Sequence, residues 1–219
     1  MLRYLDVQNI LDKNDLILQE SGCVGSENER GNTYMKKIGI VTDSHSSISQ
    51  EEAEKLGIFV LPMPFYIDGE CFYESVTLSR ELFFEKLAAG ADITTSQPSP
   101  TAVMEIWDRA LEQFEKILYM PISSGLSGSY ETAMMLAKDE AYEGRVLVVD
   151  DGQVAAPLHQ MVLDTLDMIE KGYEAEQIRD LLERAGDRMM IYIALQTLEC
   201  LKKGGRVTPA AAALGSVFH

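Results

Sequence analysis

The chain lacks most of what would tie it to several large classes of protein. Only three of its 219 residues are cysteines, Cys23, Cys71 and Cys200, odd in number and far apart. That spacing provides neither a disulfide framework nor a paired zinc site, and it fits a reducing cytoplasm. Basic residues are scarce as well: 19 Lys and Arg stand against 35 Asp and Glu, a formal net charge of -16. So acidic a surface repels nucleic acid and anionic membranes, which argues against a generic DNA- or RNA-binding role. No apolar run approaches the roughly 18 residues needed to span a bilayer, and no basic region followed by an apolar core marks a signal peptide. The expectation is a soluble, unexported, cytoplasmic protein. Also missing are a Walker loop, a dinucleotide glycine signature, a metal-binding helix pair and a Gly-x-Ser-x-Gly elbow. Gly125-Leu126-Ser127-Gly128 closes one residue too early for the last.

What remains is an apolar fraction of 46%, enough for a globular core, in a length that suits one large α/β domain or two small ones. Residues 1–34 differ from the rest and read as an extension without part in the chemistry, Met35 being a natural start. Ile38 to Val41 then reads as a buried strand ending at Thr42-Asp43-Ser44-His45, where open α/β sheets place ligands. Asp43 is either a site residue or an Asp that holds the turn through nearby backbone N–H groups. Ser49 to Glu52 is a capping-box pattern opening a helix that Gly57 closes.

Further on, Ile58 to Ile67 is a strand region whose Pro62 and Pro64 suit an edge, and Asp68-Gly69 turns it back into Cys71-Phe72-Tyr73. Leu78 to Ala89 reads as a helix with Leu82, Phe83 and Leu87 inward. In the loop Ile93 to Pro100, Ser99 caps a helix whose stripe is Val103, Ile106, Trp107, Ala110, Leu111 and Phe114, Trp107 being core.

Ile117 to Pro121 is a strand, Ile122-Ser123-Ser124-Gly125-Leu126-Ser127-Gly128-Ser129 a tight loop, and Ala133, Leu136, Ala137 and Ala141 one helix face. A loop opening a helix offers unpaired N–H groups and a positive dipole end to a carboxylate or phosphate, with serine hydroxyls as further donors. Ser127 or Ser129 can equally cap the helix.

Val146 to Val149 is a strand whose end, Asp150-Asp151, is polar rather than a metal site. Helices follow over Leu158 to Ile169 and Ile178 to Ala185, then a strand over Met189 to Leu195 and a short helix over Thr197 to Lys203. His159 has no acid or thiol beside it in sequence and reads as non-catalytic. Lys202 to Thr208 is a basic, glycine-flexed loop that spacing leaves open between an anion or acidic-partner site and ordinary helix-end chemistry. The apolar segment Ala210 to His219 ends without a stop signal and reads as truncated.

Several segments together resemble one family: Lys37-Ile38-Gly39-Ile40-Val41-Thr42-Asp43-Ser44, Thr95-Ser96-Gln97-Pro98-Ser99, Ser123-Ser124-Gly125-Leu126-Ser127-Gly128-Ser129-Tyr130, Val149-Asp150 and Lys203-Gly204-Gly205-Arg206-Val207. In this order, over Met35 to His219, they resemble the DegV family of bacterial fatty-acid-binding proteins. The resemblance implies a two-lobed α/β fold: an N-terminal parallel-sheet lobe over 35–155, and a second α/β lobe begun at 156–219 and incomplete at the C-terminus. It implies a long-chain fatty acid such as palmitate, its tail buried between the lobes and its carboxylate held by the hydroxyls of Thr95 and Ser124, with Ser96, Ser123 and Gly125 around it. It further implies no catalytic residue, metal or cofactor, and presentation of the acid to a separate DAK-type, ATP-dependent fatty acid kinase for acyl phosphorylation, with Arg206 near the phosphate or the partner.

Two departures stand out. His45 occupies a position where the family usually has Thr or Ser, and a C-terminal glycine-rich segment whose histidine approaches the carboxylate has no counterpart here. An incomplete cavity and weak fatty-acid binding are therefore expected. The competing readings are a small-molecule phosphotransferase using Arg206 and the Ser123-Ser124 loop, and a regulatory interaction module.

Overall fold

A computed structural model describes residues 36–74, 76–192 and 198–208. The expected N-terminal extension and the apolar end Ala210 to His219 lie outside the described residues.

Two sheets organise the chain. The first is parallel, with strands β1 (Lys36–Asp43), β2 (Phe59–Leu61), β6 (Phe114–Met120) and β7 (Val146–Val148) in the order β2-β1-β6-β7. Register sets Val41 beside both Phe59 and Tyr119, and Tyr119 beside Val148, so the strands end together. Their runs are apolar on both faces because helices cover both. On one face Ile38, Ile40, Leu118 and Met120 pack with α5 (Ala156–Glu170) and α6 (Ala175–Gly186) through Leu158, Met161, Ile178 and Leu182. On the other, Val41, Ile117 and Tyr119 pack with α3 (Pro100–Leu111) and α4 (Ser129–Leu136). Trp107 is fully buried there, edge-on to Tyr119 and Tyr142 at 5.3 and 5.2 Å between ring centroids. Each such large apolar side chain contributes about 1.5–3 kcal/mol.

The second sheet is antiparallel, order β4-β3-β5, with β3 (Pro64–Ile67), β4 (Glu70–Tyr73) and β5 (Ile93–Thr95). Asp68 and Gly69, both at positive φ, make the tight β3–β4 turn. The region 58–67 is thus split between two sheets: β2 is an edge as Pro62 suggested, while β3 is central and tolerates Pro64 because it is the strand's first residue. α1 (Gln50–Leu56) starts with Ser49 Oγ accepting the Glu52 N–H at 3.1 Å and ends at Gly57, φ +69°.

Several expectations need correction. α2 (Arg80–Ala88) buries no residue; Leu82 and Leu87 are each 42% exposed, and half-buried Phe83 alone of the expected trio turns inward, onto Phe65. The three-stranded sheet offers that helix too little surface to cover more. Phe114 begins β6 instead of ending α3, and Ala141 is exposed beyond α4. The N-cap residue of α4 is Gly128 rather than Ser127 or Ser129, but Ser127 Oγ still accepts the N–H of Ser129, the first residue of the helix, at 3.2 Å and pairs with Ser129 Oγ at 2.8 Å. Met189–Tyr192 carry no strand, and 193–197 lie outside the described residues; α7 (Glu199–Lys203) follows. Helices α5 and α6 cover the first sheet, and the second sheet is drawn from 64–95.

Candidate functional site

At the carboxyl ends of β1, β6 and β7 the chain gathers its polar residues. Asp43, fully buried, is the organiser: Oδ2 accepts the Ile122 N–H at 2.8 Å, and Oδ1 accepts the His45 N–H at 2.9 Å and faces His45 Nδ1 at 3.2 Å. One carboxylate therefore holds both the β1 turn and the start of the serine loop. Thr42 Oγ1 donates to the Met120 carbonyl at 2.8 Å, and the Ala155 N–H to the His45 carbonyl at 2.7 Å.

The serine loop is internally fastened. Ser123 N–H donates to the Gln153 carbonyl at 3.0 Å and Ser124 N–H to Asp150 Oδ1 at 3.3 Å. Gly125 N–H donates to Ser123 Oγ at 3.3 Å, and the Leu126 and Ser127 N–H groups to the Ser123 carbonyl at 2.9 and 3.2 Å. The backbone N–H groups of Ser123 through Ser127 are thus engaged within the protein. The half-buried Ser124 hydroxyl, in contrast, has no hydrogen-bond partner among the described residues.

Thr95 is the exposed last residue of β5, opposite Phe65. Beyond it Ser96 N–H donates to the Pro64 carbonyl at 3.4 Å and Ser96 Oγ to the Gln97 carbonyl at 3.1 Å. Gln97 is the link to the other loop. Its Nε2 donates to Thr132 Oγ1 on α4 at 3.2 Å, and its Oε1 lies 2.7 Å from where a Cβ on Gly128 would be. A side chain at 128 would displace it, so glycine here permits the close approach of the two loops. Arg206 joins from a third direction, Nε donating to the Leu126 carbonyl at 3.2 Å and Nη1 to the Gly204 carbonyl at 2.6 Å, while Lys203 pairs with Asp92 just before β5. The basic loop closes α7 through Gly205 at φ +74°, as ordinary helix-end chemistry would, and it sets the Arg206 guanidinium on the Leu126 carbonyl of the serine loop.

Behind the loop, Asp150 Oδ1 also accepts the Gly152 N–H at 3.2 Å. Asp151 is 1% exposed, with Oδ2 unpartnered among the described residues. Burial, opposed by the Gln153 N–H but aided by the charges of Asp150 and Asp43, lifts its pKa to about 7. Among the described residues no group of three or more His, Cys, Asp or Glu side chains could hold a metal ion. His159 Nε2 meets Glu52 Oε1 at 3.2 Å, a bridge between α5 and α1.

Two grooves flank these elements. One of about 330 Å³ runs beside Ser96 to Pro100, lined also by Pro62, Pro64, Tyr66, Cys71 and Tyr73. The other, about 490 Å³, lies between α4, β7 and α6 and contains none of the expected head-group residues. Sequence reasoning missed the tying roles of Gln97, Gly128 and Gln153. Gln97 lay inside a quoted motif, but nothing in the sequence showed which loop it would reach.

Comparison with known proteins places the chain. Residues 37–219 match a family described as "Uncharacterised protein, DegV family". A DegV domain-containing protein of Caldanaerobacter subterraneus is 30% identical over 185 residues, 84% of this chain and 66% of that protein. Among solved structures, a DegV family protein from Thermus thermophilus described by its fatty acid binding superposes with a TM-score of 0.74 at 33% identity, covering 84% of this chain and 65% of that one. A stearic-acid-binding protein from Eubacterium ventriosum gives 0.68 at 26% identity, with 83% and 64% covered. The chain thus spans just under two thirds of the length of these relatives. No helix among the described residues is long and apolar enough to cross a membrane.

Proposed function

The chain belongs to the DegV family, and from that premise we propose that it binds a long-chain fatty acid, without catalysing a reaction, and presents it to a separate ATP-dependent kinase that phosphorylates the carboxylate. The hydroxyls of Thr95 and Ser124 hold the carboxylate, with Ser96, Ser123 and Gly125 shaping its surroundings. The tail supplies the affinity, about 0.8 kcal/mol per buried methylene, and the head group sets orientation. Arg206 contacts the phosphate of the product or the kinase. No cofactor or metal takes part, and the protein works in the cytoplasm.

One observation carries this reading. Gln97 fastens the Thr-Ser-Gln-Pro segment to α4 directly behind the Ser-Ser-Gly loop, and the Ser124 hydroxyl there has no protein partner among the described residues. Two hydroxyl-bearing segments 29 positions apart in sequence are thereby neighbours. The ligand class is supported by the Thermus and Eubacterium relatives, described as fatty-acid- and stearic-acid-binding.

Native mass spectrometry of protein purified from cells tests it. A bound acid of about 16 to 18 carbons, the length at which chain burial outweighs the cost of association, is the expected result. A polar phosphorylated metabolite in its place would overturn the carrier reading in favour of a phosphotransferase.

A further inference from the structure

The structure gives His45 a defined setting at the carboxyl end of β1. Its ring is oriented by Nδ1 against Asp43 Oδ1 at 3.2 Å, and its backbone is pinned on both sides, N–H to Asp43 Oδ1 and carbonyl to Ala155 N–H. The side chain is a third exposed, and among the described residues Nε2 has no hydrogen-bond partner. The same Asp43 carboxylate holds Ile122, the residue before Ser123, so imidazole and serine loop are set from one anchor.

We infer that His45 is a third ligand of the bound head group, its Nε2–H donating to the anion that Thr95 and Ser124 hold, so that the site grips its ligand more tightly when the imidazole is protonated. The inference rests on the fatty-acid reading above and adds to it a residue and a pH dependence.

The chemistry follows from the neighbours. With Nδ1 facing a buried carboxylate, the proton on Nδ1 is held and the other nitrogen is left for an outside partner. Burial disfavours the imidazolium, but the hydrogen bond and charge of Asp43, together with Glu74 after β4, outweigh burial and the opposing Arg206, so the pKa lies above the usual imidazole value. Beyond β7, burial chiefly, with the charges of Asp150 and Asp43, raises the pKa of Asp151 to about 7. Arg206 both lowers the imidazole pKa and sits on the Leu126 carbonyl. An anion at the serine loop therefore meets two cationic groups, one permanent and one switchable.

The test is palmitate affinity measured by displacement of a fluorescent fatty acid, from about pH 5.5 to 8.5, for the 219-residue chain and for His45→Gln, with hexadecanol as the uncharged counterpart. A charge-assisted hydrogen bond is worth about tenfold or more in affinity. The native chain should exceed His45→Gln by about tenfold at low pH, the ratio falling toward one at high pH. Comparing the two at each pH cancels the acid's own ionisation. Hexadecanol should show no such ratio. Asp151→Asn should keep the dependence, which separates the two titrating groups, and Arg206→Gln should move its midpoint upward. A pH-independent ratio near one, with palmitate still bound, would overturn the role of His45 and leave the fatty-acid reading intact. No palmitate binding at any pH would overturn both.

Discussion

Replacing Asp151 by Asn isolates the charge most out of place in the fold. Its carboxyl is raised from 3.8 to about 7, chiefly because it is buried, and Oδ2 has no partner among the described residues. A carboxyl whose folded pKa lies above its unfolded value holds its proton more tightly when folded, so stability is greatest below the unfolded pKa and declines as pH rises. Across the interval from 3.8 to about 7, at about 1.4 kcal/mol per unit, the loss sums to about 4 kcal/mol. Asn keeps an acceptor for the Gln153 N–H, now held at 2.9 Å, and does not ionise. Urea unfolding at pH values from about 4 to 8.5, at constant ionic strength, should show Asp151→Asn gaining on the native chain steadily and leading by about 4 kcal/mol above pH 7. His45 adds a decline of its own in the same window, since its raised pKa contributes stability that is lost as pH rises through it, but this is common to both proteins and cancels in the difference. Parallel curves across the range would refute the reasoning. The result bears on the site, because Gln153, two residues on, supplies the carbonyl that holds Ser123.

Other perturbations follow from the same geometry. Thr95→Val or Ser124→Ala should weaken fatty-acid binding by about 1–3 kcal/mol in a displacement assay, because each leaves a carboxylate oxygen without its donor; unchanged affinity in both would move the head group elsewhere. Gly128→Ala puts a Cβ at 2.7 Å from the mobile end of Gln97, so its hydrogen bond to Thr132 should break. Ligand affinity should fall about three- to tenfold in titration, by the net worth of one such bond, with the melting temperature little changed. Gly186→Ala is a different case: its Cβ would fall 2.0 Å from the Asp151 carbonyl oxygen, which is backbone. A loss of about 3 kcal/mol or more in urea denaturation is expected, and a neutral substitution would contradict the packing of α6 against the Asp151 turn.

The elements legible in the sequence were those whose signals are local. Ser49, Ser99 and Gly57 marked helix ends that the structure confirms, and the β-branched run at Val146 and the stripe around Trp107 declared burial by their period. The motif-bearing loops were also legible, because they sit where strands end. What sequence could not give is set by contacts across long separations. Leu82 and Leu87 have inward spacing yet face out, because inward-facing spacing does not reveal how small the sheet beneath is. The serine-loop amides looked available until Asp150, Gln153 and Ser123 itself were seen to take them. Asp43 was left between turn and site, and it serves the turn and the neighbouring loop with its two oxygens at once.

The central claim is that the hydroxyls of Thr95 and Ser124 grip one carboxylate. Its most direct test is a crystal structure of the chain grown with palmitate. A carboxylate is expected between the two side chains, with an oxygen about 2.5–3.0 Å from each hydroxyl and the tail leading into an apolar cleft. A head group in the groove between α4 and α6, or one that touches neither hydroxyl, would contradict it.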